Sequence, residues 1–128
     1  MPELQRILHV EDDPSIQAVA RLALEVVGGF QVLSCASGQE ALDHVQDFAP
    51  DFILLDVMMP GMDGPQTLAH IARLIDINHV PVAFMTAKVQ PAEITYYRSL
   101  GARDVIIKPF DPMQLAAQVR KIWSQAHE

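Results

Sequence analysis

The sequence predicts an α/β domain built on one parallel sheet, with five strands alternating with five helices along the chain. Three observations carry this expectation. Short apolar runs bounded by turn residues recur at residues 7–10, 30–34, 52–55, 80–85 and 105–107. Between them lie stretches whose apolar residues recur at helical spacing. The joining loops are short, so each helix serves as a crossover between parallel strands. Such crossovers are right-handed and place helices on both faces of the sheet. The order of the strands does not follow from these observations.

The first run, 7–10, ends abruptly in Glu11, Asp12 and Asp13, with His9 read as a core residue. Pro14 suits the first turn of a helix. Along that helix Ile16, Val19, Ala20, Ala23, Val26 and Val27 make one apolar face, and Gly28 and Gly29 end it. A second strand follows, with Cys35 beside it as a small packing residue. Ser37 can cap the next helix, Glu40 three residues later completing a capping box, and Ala41, Leu42 and Val45 mark its core face. Pro50 closes that unit.

Phe52, Ile53, Leu54 and Leu55 are continuously apolar, as in a strand buried on both faces. Asp56 stands at its end, before a loop punctuated by Pro60, Gly61 and Gly64. Leu68, Ile71, Ala72 and Ile75 mark the third helix. The fourth strand is entered through Pro81, which an internal strand tolerates only at its beginning, and it ends in Thr86, Ala87 and Lys88. Pro91 opens a fourth helix holding Ile94, Tyr97 and Leu100, stopped by Gly101. Val105, Ile106 and Ile107 form the fifth strand and meet Lys108, Pro109 and Phe110. The last helix starts near Asp111 and Pro112 and buries Leu115, Val119, Ile122 and Trp123.

Composition narrows the function. At 128 residues the chain is of single-domain size. A formal charge of -7 argues against general nucleic-acid binding, which needs clustered Lys and Arg. The lone Cys35 cannot form an internal disulfide and suits a reducing compartment. No apolar run reaches bilayer length, and residues 1–6 carry no signal-peptide pattern. A cytoplasmic protein without membrane insertion is expected.

Polar residues gather at the same end of four strands: Glu11 and Asp12, Asp56, Thr86, and Lys108. In an open parallel sheet, ligands bind at the carboxyl ends of the strands. Three crowded carboxylates raise one another's pKa values unless a cation intervenes. An all-oxygen acidic set suits Mg²⁺, a hard ion that accepts a phosphate oxygen as a further ligand. Phosphoryl transfer needs an oxygen nucleophile, a metal and donors for the equatorial oxygens. Asp56 is the candidate nucleophile, with Glu11, Asp12 and the backbone carbonyl of Met58 as further metal ligands. Lys108 is expected to pair with a phosphoryl oxygen or, before transfer, with Asp56. Thr86 can hydrogen-bond another oxygen, and Ala87 leaves room for the group to enter.

Glu11-Asp12-Asp13, Asp56 with Met59-Pro60-Gly61-Met62-Asp63-Gly64, Thr86-Ala87, and Lys108-Pro109-Phe110 together resemble the receiver domain of two-component response regulators. The resemblance implies a flavodoxin-like, doubly wound five-stranded parallel sheet with five helices. It also implies Mg²⁺-dependent transfer from a phosphohistidine to Asp56, the donor being a sensor histidine kinase or a histidine phosphotransfer protein. On this reading residues 1–128 form one receiver, with its core at about 6–123 and no output domain. The resemblance implies no conventional enzyme but a domain expected to catalyse its own phosphorylation and dephosphorylation at Asp56. Output is expected through protein contact by the fourth helix, fifth strand and last helix, with Tyr96 and Tyr97 as anchors and no direct contact with nucleic acid. The Lys108–Pro109 bond resembles one that is often cis. Asp13 is expected to cap the first helix, and Asp63 to be a turn residue.

Three positions mark where this chain departs from the family. Many receivers carry an aromatic residue where this chain has Val105, and a valine cannot swing a ring between buried and exposed positions. Met58 and Lys88 stand at sites that tune hydrolysis, where a methionine cannot orient water well and a lysine can shield by charge. An aspartate-nucleophile phosphatase of the haloacid-dehalogenase type is disfavoured because Met58 replaces its second acid. A flavin carrier is disfavoured because no Ser/Thr/Gly-rich loop follows the first strand. The remaining alternative is a receiver-like binding module that works without phosphorylation.

Overall fold

The strands occupy Arg6–Val10 (β1), Gln31–Cys35 (β2), Phe52–Asp56 (β3), Val82–Thr86 (β4) and Asp104–Ile107 (β5) in a computed structural model that describes residues 3–128. Met1 and Pro2, part of the polar N-terminal stretch, lie outside the described residues. Every pairing is parallel and the order is β2-β1-β3-β4-β5. That is the flavodoxin-like order, with its reversal between β1 and β3. The helices are Pro14–Leu22 (α1), Gly38–Phe48 (α2), Gly64–Leu74 (α3), Pro91–Ser99 (α4) and Leu115–Ala126 (α5).

Two apolar layers sandwich the sheet. Ile7, Phe52, Leu54 and Met85 face α1 and α5, packing with Ala20, Leu24, Leu115 and Val119. Leu8, Ile53, Leu55 and Phe84 face the other helices, packing with Val45, Leu68, Ile71 and Tyr97. All five residues of β3 are buried, as a central strand covered on both faces requires.

Local chemistry explains most boundaries. Asp13 caps α1 by accepting from the Ser15 and Ile16 amides. Pro91 occupies the first turn of α4, and Gly101 adopts φ +110 beyond its end. Asp63 does more than turn the chain: with Gln66 it makes a full capping box at α3. At α2 the box is altered. Ser37 accepts from the Glu40 amide as expected, but the Glu40 carboxylate reaches past Ser37 to the Ala36 amide.

Two expectations need correction. The first helix does not run uniformly to Val27, because residues Ala23–Val27 form a π-helical turn. Its wider hydrogen bonds, such as Gly28 N–H to the Ala23 carbonyl at 3.2 Å, shift the angular phase of the residues that follow. The core takes Ala20, Ala23 and Leu24, while Val19 and Val27 are exposed and Val26 is 74% exposed. The last helix begins at Leu115 rather than near Asp111. Residues 112–114 form a turn in which Asp111 accepts from the Met113 and Gln114 amides. Its core face is otherwise as expected, with Trp123 half-buried.

Cys35 is fully buried, and burial, followed by the charges of Glu40 and Asp43, pushes its thiol up to about 12. The folded protein is therefore expected to resist alkylation at mildly alkaline pH and to react once unfolded. Mass spectrometry after iodoacetamide treatment, with and without urea, checks this; rapid labelling of the folded protein would contradict it. His9 is likewise a core residue, with neither ring nitrogen hydrogen-bonded among the described residues. Burial, helped by the Lys108 charge, lowers its pKa to about 4, so it packs as a neutral ring.

Candidate functional site

The sheet order places the carboxyl ends of β1, β3, β4 and β5 side by side, leaving β2 at the far edge. Glu11 and Asp12 follow β1, Asp56 ends β3, Thr86 ends β4, and Lys108 follows β5. The expected residues do meet. One carboxylate oxygen from each of Glu11, Asp12 and Asp56 lies within 4.8 Å of the others.

Lys108 bridges two of the three. Its Nζ donates to Glu11 Oε1 at 2.8 Å and to Asp56 Oδ1 at 3.0 Å. Both acceptors are nearly inaccessible, Glu11 at 1% and Asp56 at 3% exposed, whereas Asp12 is exposed. Burial raises the Glu11 pKa, and Asp56 adds to this, against the lowering effects of the Lys108 ammonium and the Asp13 amide. Burial opposes the charge on Lys108, but its hydrogen bonds to the two carboxylates outweigh that and raise its pKa. The ammonium therefore stays charged and serves as the resident counter-ion. Lys108 reaches Glu11 and Asp56 but not Asp12, so the three clustered carboxylates outnumber their one cation.

The loop after β3 is drawn back over the strand end. Gly64 N–H donates to the Val57 carbonyl at 2.9 Å. A Cβ at Gly64 would lie 2.5 Å from the Asp56 carbonyl oxygen and 2.8 Å from Val57 Cα, so only glycine fits where α3 starts. Thr86 is buried, and its hydroxyl accepts from the Lys88 amide at 3.0 Å. The Lys108–Pro109 bond is cis.

Asp56, Thr86, Ala87 and Lys108 line one open cavity of about 620 Å³. Its remaining walls are largely apolar and include Ile16, Val19, Met58 and Phe110. Asp56 is thus a carboxylate at the base of a cleft wide enough for a phosphoryl group and part of its donor. The donor set is all oxygen and acidic, the chemistry that suits a hard divalent cation.

Three features were not legible in the residue pattern. The Lys108–Glu11 bond joins positions 97 apart and carries no local signal. Ile16 and Val19 read as core by spacing, yet they wall the cleft. Tyr97 borders a second cavity together with Thr86, which nothing in its helical spacing indicated.

Comparison with known proteins agrees with this geometry. The family model for the response regulator receiver domain matches residues 7–120. The DNA-binding response regulator MtrA of Mycolicibacterium smegmatis is 37% identical over 117 residues, covering 91% of this chain and 49% of that protein. The transcriptional regulatory protein CseB of Streptomyces avermitilis is 36% identical over 122 residues, covering 95% of this chain and 50% of that protein. This chain thus spans about half the length of these curated relatives. The chemotaxis protein CheY4 of Vibrio cholerae superimposes with a TM-score of 0.86 at 27% identity, covering 94% of this chain and 99% of that one. The chain belongs to the receiver domain family of two-component response regulators.

Proposed function

We propose that Asp56 is the phosphoacceptor, taking its phosphoryl group from the phosphohistidine of a sensor histidine kinase or histidine phosphotransfer protein. The observation that carries this is the paired placement of Asp56 and Lys108, a carboxylate and its ammonium at 3.0 Å, at the base of an open cleft. Glu11, Asp12, Asp56 and the backbone carbonyl of Met58 would hold Mg²⁺. When bound, Mg²⁺ neutralises charge on the carboxylates and on the transferred group.

The chain's own groups supply the rest. An Asp56 carboxylate oxygen attacks phosphorus in line, the phosphorus–nitrogen bond of the donor breaks, and the imidazole departs with the bonding pair. Lys108 exchanges its bond to Asp56 for one to a phosphoryl oxygen. Thr86, buried at the mouth of the cleft, turns its hydroxyl toward another. Ala87 is exposed and leaves the entry clear. The apolar walls formed by Ile16, Val19 and Phe110 offer the donor protein a surface beside the reacting atoms.

Output is proposed through α4, β5 and α5. Tyr96, 53% exposed, is the anchor of the two tyrosines, whereas Tyr97 is buried. Although MtrA and CseB are named as DNA-binding and transcriptional regulators, the -7 charge of this chain disfavours contact with DNA by this domain itself. The residues 1–128 are read as one receiver unit, and a cytoplasmic setting fits the family. No helix among the described residues is long and apolar enough to cross a membrane.

Intact mass after incubation with acetyl phosphate tests the proposal. The native chain is expected to gain one phosphoryl mass only with Mg²⁺, and Asp56→Asn to gain none. A gain that persists in Asp56→Asn would move the acceptor elsewhere. No gain from acetyl phosphate or from phosphorylated kinase would favour the binding module that works without phosphorylation.

Hydrolysis is expected to be slow. Met58 is 69% exposed at the mouth of the cleft, where its thioether cannot orient an attacking water, and Lys88 lines the same cleft. The phosphoryl group should outlast that of a Met58→Asn variant when decay is followed by mass. A shorter native lifetime would refute this.

A further inference from the structure

Among the described residues, two methionines are exposed and three are not. Met58 is 69% and Met113 65% exposed, whereas Met59 and Met85 are buried. Met62 is half-buried, its sulfur packed toward Gly38 at the start of α2. Met113 lies in the turn before α5 and lines neither cavity near the candidate site. Met58 lines both, the cleft at Asp56 and a neighbouring cavity of about 600 Å³. One thioether combines free access to solvent with a place in the wall of the reacting site.

Access decides which sulfur a small oxidant reaches. The Met58 sulfur lone pair bonds to one oxygen of a peroxide, and the O–O bond breaks with its electron pair on the departing oxygen. That oxygen leaves as water once it has taken the proton released by the other. The sulfur is oxidised by two electrons to the sulfoxide, and the peroxide is reduced. Cys35, the one thiol of the chain, does not compete, because it is fully buried and its thiol is pushed up to about 12.

The product changes what this position offers. A thioether is an apolar group and a weak acceptor, whereas the sulfoxide is polar and accepts strongly through its oxygen. Lys88 lines the same two cavities, so its ammonium and the sulfoxide oxygen share one wall. Two effects then act in the same direction. The sulfoxide oxygen accepts from a water beside Asp56 and orients it. It also draws the Lys88 ammonium toward itself and away from the phosphoryl group that this charge shields.

We propose that Met58 is a site of reversible oxidation by peroxide, and that its sulfoxide shortens the life of the phosphoryl group on Asp56; this rests on Asp56 being the acceptor. Under oxidising conditions the phosphorylated state decays faster. A dithiol-dependent sulfoxide reductase restores the thioether, two thiols becoming a disulfide while the sulfoxide oxygen leaves as water.

Limited treatment with hydrogen peroxide, its removal, and peptide mass mapping locate the oxygen gained, without Mg²⁺ or a phosphoryl donor. Met58 and Met113 are expected to gain oxygen before Met59, Met62 and Met85. Acetyl phosphate with Mg²⁺ then loads the oxidised and untreated proteins, and decay is followed by intact mass. The expected result is a phosphoryl half-life shortened about fivefold by oxidation, the kinetic equivalent of one ordinary hydrogen bond. Met113→Leu should show the same shortening and Met58→Leu none. Methionine sulfoxide reductase with dithiothreitol should restore the half-life of the untreated protein. An unchanged or longer half-life at full Met58 oxidation would overturn the inference while leaving the acceptor reading intact, as would equal shortening in Met58→Leu. Oxidation of Met58 no faster than that of Met59 would equally contradict it. No phosphoryl gain by the untreated protein, from acetyl phosphate or from phosphorylated kinase, would instead remove the acceptor reading and this inference with it.

Discussion

Lys108→Met is expected to destabilise the fold by about 3–5 kcal/mol near neutral pH, the usual cost of leaving a buried ion pair without one partner. The variant keeps most of the side chain's apolar length and removes its charge, so Glu11 and Asp56 face each other uncompensated in a nearly inaccessible site. The sign of the pH dependence follows from the direction of the Glu11 shift. Its folded-state pKa already lies above the ordinary value, mainly through burial, and loss of the ammonium raises it further. A carboxyl whose folded pKa is raised favours folding in acid, and that contribution is lost as pH rises through the folded pKa. The deficit of Lys108→Met should accordingly shrink toward acid pH, where Glu11 is protonated, and widen above the normal carboxylate range. Added Mg²⁺ should restore more stability to the variant than to the native protein, because it supplies the missing positive charge. Urea unfolding at acid and neutral pH, with and without Mg²⁺, measures all three trends. A deficit independent of both pH and Mg²⁺ would show that Lys108 acts by packing and not by charge.

Leu54→Ala is expected to cost about 2–5 kcal/mol through the cavity it leaves. Leu54 is fully buried at the middle of the central strand and packs in the layer facing α1 and α5. Val26→Ala, at a position 74% exposed, should change stability by no more than about 0.5 kcal/mol. Unfolding curves for the pair compare the sheet core with the outer face of the π-helical turn. A large loss at Val26 would indicate that the uniform apolar face read from the sequence is present in solution after all.

The strands, the helices and the residues of the candidate site were legible because each rests on local chemistry. A continuous apolar run such as Phe52 to Leu55 has one stable setting, inside a covered sheet. Asp13 announces α1 by accepting from its first amides, and Pro91 announces α4 because its missing N–H costs nothing in a first turn. Asp56, Thr86 and Lys108 stood out because polar residues closed apolar strands at one end.

The features that escaped detection depend on angular phase or on distance through space. Val19, Val26 and Val27 counted as core on an unbroken 3.6-residue repeat, and one π-helical turn, together with the cleft beside Val19, displaced them. The capping reach of Glu40 to Ala36 and the late start of α5 depend on turn geometry that composition does not specify.

By itself the sequence determined the fold class, the sidedness of the polar strand ends and the family resemblance, because periodicity and capping are set by neighbours along the chain. Only the tertiary structure decided the strand order, the bridging of Glu11 and Asp56 by Lys108, and the placement of Tyr97 beside Thr86. Those contacts join residues far apart in the chain, and their energies arise from packing and burial that no local pattern encodes.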